Sequence, residues 1–167
     1  MPPAQAPPLA GYREAAQSLV SALSDVAIPG WGRVLLDRST RRAINDAADR
    51  TRVTAEPALA AGLAVEEYIR FGCTTACGVV RRLHAEGVHL RGWDDLTAHI
   101  ALRALQLLPA DRTRLDAVTL ASTIRRDADR ALTARLRPDM TGVERIMFDM
   151  ALERGLRLGL PAARFSR

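Results

Sequence analysis

The sequence predicts a mainly α-helical protein, a compact domain built from several helices. Apolar residues recur every three or four positions through most of the chain, which is the period of an amphipathic helix. Aromatic residues make up only 4% of a sequence that is 48% apolar. The core therefore has to consist largely of Leu, Val, Ile and Ala, and these small aliphatic side chains favour close packing of helices.

The 167 residues are enough for one domain with a core of its own. Residues 1–10 contain four prolines and no apolar period, so we expect a flexible tail there. The helical domain is expected to span residues 11–161. Residues 162–167 follow it as a short basic tail.

Two helices and a candidate strand are predicted in the first fifty residues. The first helix covers residues 12–26 and is stopped by a Pro-Gly pair at 29–30. Residues 31–37 are β-compatible and form a candidate strand. A Ser-Thr pair at 39–40 can cap a second helix that ends near residue 50. The side chains expected to face the core are Ala15, Ala16, Leu19, Val20, Leu23, Val26, Ile44, Ala47 and Ala48.

Residues 53–72 and 140–159 resemble each other when they are aligned without a gap. Each is predicted to be one helix, with a Thr that caps its first turn, an apolar stripe, and a Gly that ends it. A short link at 51–53 is expected to precede the first copy. The identical pairs are Thr54 and Thr141, Ala64 and Ala151, Glu66 and Glu153, Arg70 and Arg157, and Gly72 and Gly159; the apolar stripe includes Leu59 and Ile146, and Leu63 and Met150.

Three further helical segments are predicted. Residues 73–87 begin with small residues, where another backbone could approach closely. An aspartate at 94 or 95 opens a helix that runs to Pro109. Residues 111–136 fit a helical stripe, although 117–122, AVTLAS, could also be a strand. The last helix starts at Thr141, where Glu144 completes a capping box, and Leu160-Pro161 ends it.

The net charge indicates which partners the protein could bind, and the cysteine content indicates the redox state of its compartment. The net charge is +5 and the isoelectric point is about 10.4, which favours a polyanionic partner. All 24 basic residues are Arg, which suits phosphate recognition but also follows from a GC-rich coding sequence. No apolar run is long enough to cross a membrane and no signal peptide is evident, so we expect a cytoplasmic protein with two reduced cysteines.

No residue spacing indicates catalysis, a cofactor or a metal. Cys73, Cys77 and His84 could share one face of a helix and bind a soft metal, but buried thiols beside a surface His are the more common arrangement. The adjacent carboxylates Glu66-Glu67 and Asp94-Asp95 point to different helix faces, so they make a poor acid–base pair. We therefore expect a protein that is not an enzyme and has no cofactor.

Arginines cluster at two comparable places. Arg33, Arg38, Arg41 and Arg42 surround the point where the candidate strand enters its helix, and Arg125, Arg126 and Arg130 precede the second copy of the repeat. The segment 33–72, a candidate strand followed by two capped helices, resembles the ribbon–helix–helix DNA-binding fold. That resemblance implies base contacts from Arg33 and phosphate anchoring at the backbone of Thr54 and Ala55, with Arg38, Arg41 and Arg42 on the DNA backbone.

The repeat would supply a second ribbon–helix–helix unit in the same chain, with 117–122 as its strand. Thr119 would then face the bases, and Thr141 and Gly142 would anchor a phosphate. Tandem units of this kind are similar to certain plasmid-transfer accessory proteins. A second resemblance, of residues 65–88 to a winged-helix recognition segment, places Arg81 and Arg82 on the DNA instead.

The expected function is thus a small non-enzymatic DNA-binding protein, accessory or regulatory, for example in transcription, that uses Arg clusters and helix N-termini on duplex DNA. The alternative is a helical bundle that forms a homodimer or docks a protein partner through faces of small residues, without nucleic acid. Helix at both 33–37 and 117–121 would favour the bundle, and paired strands would favour DNA binding.

Overall fold

The computed structural model describes residues 7–24, 38–85, 99–100, 102–103, 106, 117–136 and 141–162. Across these residues it is helical apart from short turns and contains no strand, so the predicted mainly α fold is confirmed. The helices with defined bounds are α1 (Pro7–Ser24), α2 (Arg38–Ala60), α3 (Val65–Ala85), α4 (Ala117–Leu136) and α5 (Gly142–Gly159). None of them is both long enough and apolar enough to span a lipid bilayer.

Helix α1 packs along α2, and the predicted inward stripe is confirmed at Ala15, Ala16, Leu19 and Leu23. Leu19 and Leu23 form a small apolar cluster with Ile44 and Ala47 of α2. The helix begins at Pro7, inside the segment predicted as a tail. Proline suits the first turn of a helix, because its fixed φ is helical and its missing N–H has no partner to lose there.

The break predicted at residues 51–53 is absent, because α2 continues through it to Ala60. The hydroxyl of Thr51 is buried and donates to the carbonyl of Ala47 over 2.7 Å, and that of Thr54 donates to Arg50 over 2.7 Å. The hydroxyls of both threonines therefore have hydrogen-bond partners within α2. Thr54 does not cap one, which corrects the prediction.

Helix α2 ends at Ala60, and the turn that follows contains Gly62, whose φ of +95° is the left-handed conformation that favours glycine. The amide of Leu63 donates to Ala58 over 2.9 Å, and the amide of Gly62 donates to Leu59 over 3.2 Å. These two bonds and the buried Leu63 side chain define a Schellman motif. The segment 53–72 is thus the end of α2, a turn and the start of α3, which continues through Gly72 to Ala85, whereas 142–159 is one helix.

Helix α3 is buried by α5 on one side and by α1 on another. A Cβ added to Gly159 would fall on the backbone of Gly72, and one added to Gly155 would fall on the backbone of Ala76. The two helices therefore approach closely where both present small residues. This confirms the prediction that another backbone approaches the small-residue half of α3.

The ribbon–helix–helix prediction is wrong. Its second strand, residues 117–122, is the first part of α4, where Leu120, Ile124 and Ala128 are buried at helical spacing. The first candidate strand at 31–37, with Arg33, lies outside the described residues. A continuous helical stripe buries more apolar surface here than the alternation within six residues could.

The core is mainly aliphatic, as predicted, and one large cluster joins α1, α2, α3, α4 and α5 with Ile100. Its few aromatic members include Tyr12, Tyr68 and Phe148. The ring of Tyr12 lies 6.3 Å from that of Tyr68 and meets Phe71 edge-on at 6.0 Å, where α1 crosses α3. The hydroxyl of Tyr68 accepts a hydrogen bond from the amide of Ala162 over 3.1 Å, so the chain after α5 returns to α3.

Candidate functional site

The arginines predicted to bind DNA at the start of α2 are exposed. Arg38, Arg41 and Arg42 lie in its first two turns, and Arg42 is 3.9 Å from Asp46. No acidic residue stands in the first turn of this helix, where the helix dipole would favour one. Their role in DNA binding stays a prediction.

Thr54 and Ala55 have no phosphate-binding geometry. Both lie in the second half of α2, and Ala55 is 0% exposed. Backbone N–H groups within a helix are already bonded to its carbonyls, so they have none to offer a phosphate. The anchoring role expected at these two residues is therefore corrected.

The second predicted phosphate anchor, Thr141 and Gly142, lies at the N-terminus of a helix. Thr141 precedes α5, its carbonyl accepts the amide of Arg145 over 3.1 Å, and both Thr141 and Gly142 are exposed. This confirms Thr141 as the N-cap position. A free helix N-terminus alone attracts any anion, so it does not identify a ligand.

Helix α4 presents an exposed basic face. Thr119, Arg125, Arg126 and Arg130 are exposed on it, as is Ser122. The two aspartates of α4 are held by arginines of other segments: Asp127 by Arg103 over 2.5 Å, and Asp129 by Arg145. The Arg103 guanidinium lowers the pKa of the Asp127 carboxyl. Arg125, Arg126 and Arg130 form no ion pair with the described residues, although Arg130 adds to the lowering of the Asp127 pKa.

The cysteines are buried structural thiols. Cys73 and Cys77 are both free, and burial raises the pKa of Cys73 to about 12, with a smaller effect from Cys77. A thiol with this pKa is a poor nucleophile. The side chain of His84 lies outside the described residues, and no group of three metal-ligating side chains occurs among those described.

One carboxylate of the predicted pair, Glu67, joins α3 to α1. Both oxygens of Glu67 accept from the guanidinium of Arg13 on α1, over 2.6 and 2.8 Å. This hydrogen bonding lowers the pKa of Glu67. Asp94 and Asp95 lie outside the described residues.

A cavity of about 230 Å³ lies between α1 and α3. Its polar lining groups are largely committed, because Thr74 donates to Arg70 and Thr75 donates to Phe71 within the same helix. Ser24, another lining residue, donates to the carbonyl of Val20, and the remaining walls are Val20, Leu23, Cys77, Gly78 and Arg81. One charged group is not the set of convergent polar groups that usually orients a ligand.

Helix α5 carries a second apolar face on the side opposite α3. We name it the α5 patch; it consists of Val143 (68% exposed), Ile146 (61%), Met147 (36%) and Met150 (65%). Spacings of three, one and three residues place all four on one side of the helix. The core face of the same helix is formed by other residues, Phe148, Ala151, Leu152, Gly155, Leu156 and Gly159.

The α5 patch was not identified from the sequence. The alignment of Ile146 and Met150 with Leu59 and Leu63 predicts an apolar stripe but does not indicate which face of the helix meets the core. The signal that could have revealed the patch is that residues 143–159 are apolar on two opposite faces. A helix with two apolar faces needs a neighbour on each of them.

Comparison with known proteins gives no relative: no protein family, curated protein or solved structure matches the chain. The candidate sites therefore rest on their own geometry. Of these, the α5 patch and the basic face of α4 present groups that a partner could engage.

Proposed function

We propose that this protein is a non-enzymatic helical interaction module that binds another protein through the α5 patch. One observation carries the proposal: three of the four large apolar side chains of the patch are more than 60% exposed, next to one another on one helix face. Single exposed apolar residues are ordinary on a protein surface, whereas a contiguous patch marks a binding site.

Burial of the apolar side chains of the α5 patch would favour association with a partner. Complete burial of one Val, Ile or Met side chain is worth about 1.5–3 kcal/mol, so covering the patch would contribute several kcal/mol to binding. Residues at i, i+3, i+4 and i+7 are also the pattern by which an amphipathic helix enters an apolar groove. The methionines add adaptability, since their unbranched side chains fit irregular surfaces.

Photo-crosslinking tests this function. A photoreactive amino acid would replace Met150 in cells that make the protein, and in a matched control it would replace Val53 of α2, which is also 65% exposed. We expect a discrete protein adduct from position 150 and none from position 53. Absence of any adduct at 150, or the same adducts from both positions, would refute the proposal.

The basic face of α4 supports a second candidate, binding to duplex DNA. The observation that favours it is that Arg125, Arg126 and Arg130 are exposed on α4, while the aspartates of that helix, Asp127 and Asp129, lie against Arg103 and Arg145. Guanidinium groups of this kind bind phosphates. Arg38, Arg41 and Arg42 of α2 would add to the same electrostatic attraction.

The salt dependence of DNA binding tests the second candidate. Changing Arg125, Arg126 and Arg130 to Gln should lower the slope of log affinity against log salt by about 2–3, because each phosphate contact contributes about 0.9. A control of equal charge changes three exposed arginines elsewhere, Arg50, Arg70 and Arg154, to Gln. Equal slopes for the two triple variants, or no binding by the original protein at low salt, would exclude this role.

A further inference from the structure

We infer that the cavity between α1 and α3 binds a small organic monoanion, with one carboxylate on an apolar body of about six carbon atoms. The cavity shares no lining residue with the α5 patch or with the basic face of α4, so this site is separate from the proposed function. Three properties of the cavity support it: the division of its walls, its volume, and the charge at its rim.

The described residues that line the cavity are of two kinds, buried on its floor and exposed at its rim. On the floor they are Leu23, Thr75 and Cys77, and at the rim they are Ser24, Thr74 and Arg81. A molecule in the cavity therefore has one end away from water and the other end beside a guanidinium group. This division matches a ligand that is itself apolar at one end and charged at the other.

The floor offers no free hydrogen-bond donor among the described residues. Ser24, Thr74 and Thr75 each donate to the carbonyl four residues earlier in their own helix, over 2.8, 2.9 and 3.0 Å. Backbone N–H groups within a helix are bonded to carbonyls in the same way. A polar molecule such as a sugar would lose its hydrogen bonds to water here without regaining them, whereas an apolar body would lose none.

The volume sets the size of the ligand. The cavity measures about 230 Å³, and an apolar cavity of roughly 150 Å³ in another protein holds benzene. In proportion, this cavity accepts about nine non-hydrogen atoms. Heptanoate and benzoate are carboxylates of this size.

Arg81 supplies the charge for the polar end. It is the one charged residue among the described residues of the lining. A guanidinium group pairs its N–H donors with the two oxygens of a carboxylate. One cation would not orient a polar ligand, but it is sufficient for a ligand whose remaining surface is apolar. The net charge of +5 also attracts anions to the protein and disfavours cations.

NMR titration of the full ¹⁵N-labelled chain with straight-chain carboxylates tests the inference. Each further methylene that is buried should tighten binding about fourfold. The affinity should therefore rise from butanoate to heptanoate and then level off, because longer chains no longer fit. For heptanoate we expect a dissociation constant on the order of 1 mM. The amides that shift should be those of residues 20–24 and 74–81.

Two substitutions test the two ends of the site. Arg81→Gln should weaken heptanoate binding about three- to fivefold, which is the effect of an ion pair near the surface. The matched control is Arg70→Gln, which removes the same charge from an exposed position of α3 outside the cavity lining and should leave binding unchanged. Gly78→Ala adds a methyl group 3.8 Å from Leu23, an ordinary contact, so the fold should tolerate it. The narrower cavity should then reach its highest affinity one methylene earlier in the series.

Heptan-1-ol separates the contribution of the charge from that of the chain. It should bind the original protein more weakly than heptanoate does, and it should bind Arg81→Gln as well as it binds the original protein. Three results overturn the inference: no amide shift at about ten times the expected dissociation constant, shifts spread over the arginine-rich surfaces, or an affinity that does not change with chain length. None of these results alters the crosslinking expected at position 150, so the two sites stand or fall separately.

Discussion

Individual side chains join the helices of this protein in two distinct ways. Between α1 and α3, the guanidinium of Arg13 donates two hydrogen bonds to Glu67, a paired geometry that fixes the orientation of both groups. Close by, the Tyr12 hydroxyl is buried without a hydrogen-bond partner among the described residues, and burial raises its pKa. The ion pair therefore supplies the specific polar contact at this crossing, whereas Tyr12 contributes packing.

The Arg13–Glu67 pair predicts a pH-dependent loss in Glu67→Gln. Because the pKa of Glu67 is lowered in the folded protein, the pair stabilises the fold above the ordinary carboxyl pKa of about 4.3. That stabilisation is lost as the pH falls through the lowered folded-state pKa. The thermal midpoint of the variant should lie below that of the original protein at pH 7, and the two should converge in acid.

Glu56→Gln is the matched control, since Glu56 is an exposed carboxylate on α2 without an ion pair to the described residues. Its midpoint should follow that of the original protein at both pH values. A difference for Glu67→Gln that persists unchanged in acid would show that the side chain acts through packing instead.

At the level of elements, the sequence predicted much of the helical stripes but placed several boundaries wrongly. The apolar spacing identified Ala15, Ala16, Leu19 and Leu23 of α1 as buried, but it did not include Tyr12 or, in α4, Leu120. Thr54 resembles a helix cap in the sequence, yet its hydroxyl donates to the carbonyl of Arg50 inside α2, which continues to Ala60. The turn after Ala60 carries a recognisable signal, Gly62 followed by the apolar Leu63.

The close approach of α3 and α5 predicts a strong effect of one methyl group. Gly159→Ala should lower the free energy of unfolding by about 1–3 kcal/mol, because its Cβ would overlap the backbone of Gly72 and force the helices apart. Gly142→Ala, where no atom lies within 4 Å, should be neutral or slightly stabilising. Urea unfolding measures both, and equal midpoints would disprove the tight crossing.

At the scale of the whole molecule, the sequence could not show which face of α5 meets the core. Both faces are apolar, so a stripe that includes Ile146 and Met150 does not identify the side that meets the core. The deciding residues are Gly155 and Gly159, since only the face that bears them allows the backbone contact with α3. That choice depends on a partner helix about eighty residues away in the chain, and local sequence patterns do not contain it.

The distribution of burial predicts an order of local stability. Tyr68, Ile69, Cys73 and Ala76 of α3 are all within 1% of complete burial, whereas the first half of α2 buries only Ile44 and Ala47. Amides in the middle of α3 should therefore exchange with solvent deuterium roughly tenfold more slowly than those of residues 43–50. Uniform exchange across both helices would indicate that the protein opens only as a single unit.

The enclosure of Cys73 and Cys77 also gives the protein an intrinsic reporter. Neither sulfur is accessible to a thiol reagent while α3 stays covered, and the pKa of about 12 for Cys73 keeps it protonated. The rate at which a thiol reagent labels these cysteines in native buffer therefore reports how often the protein opens locally and exposes α3. Engineered surface cysteines can be modified beside them without first removing the native pair.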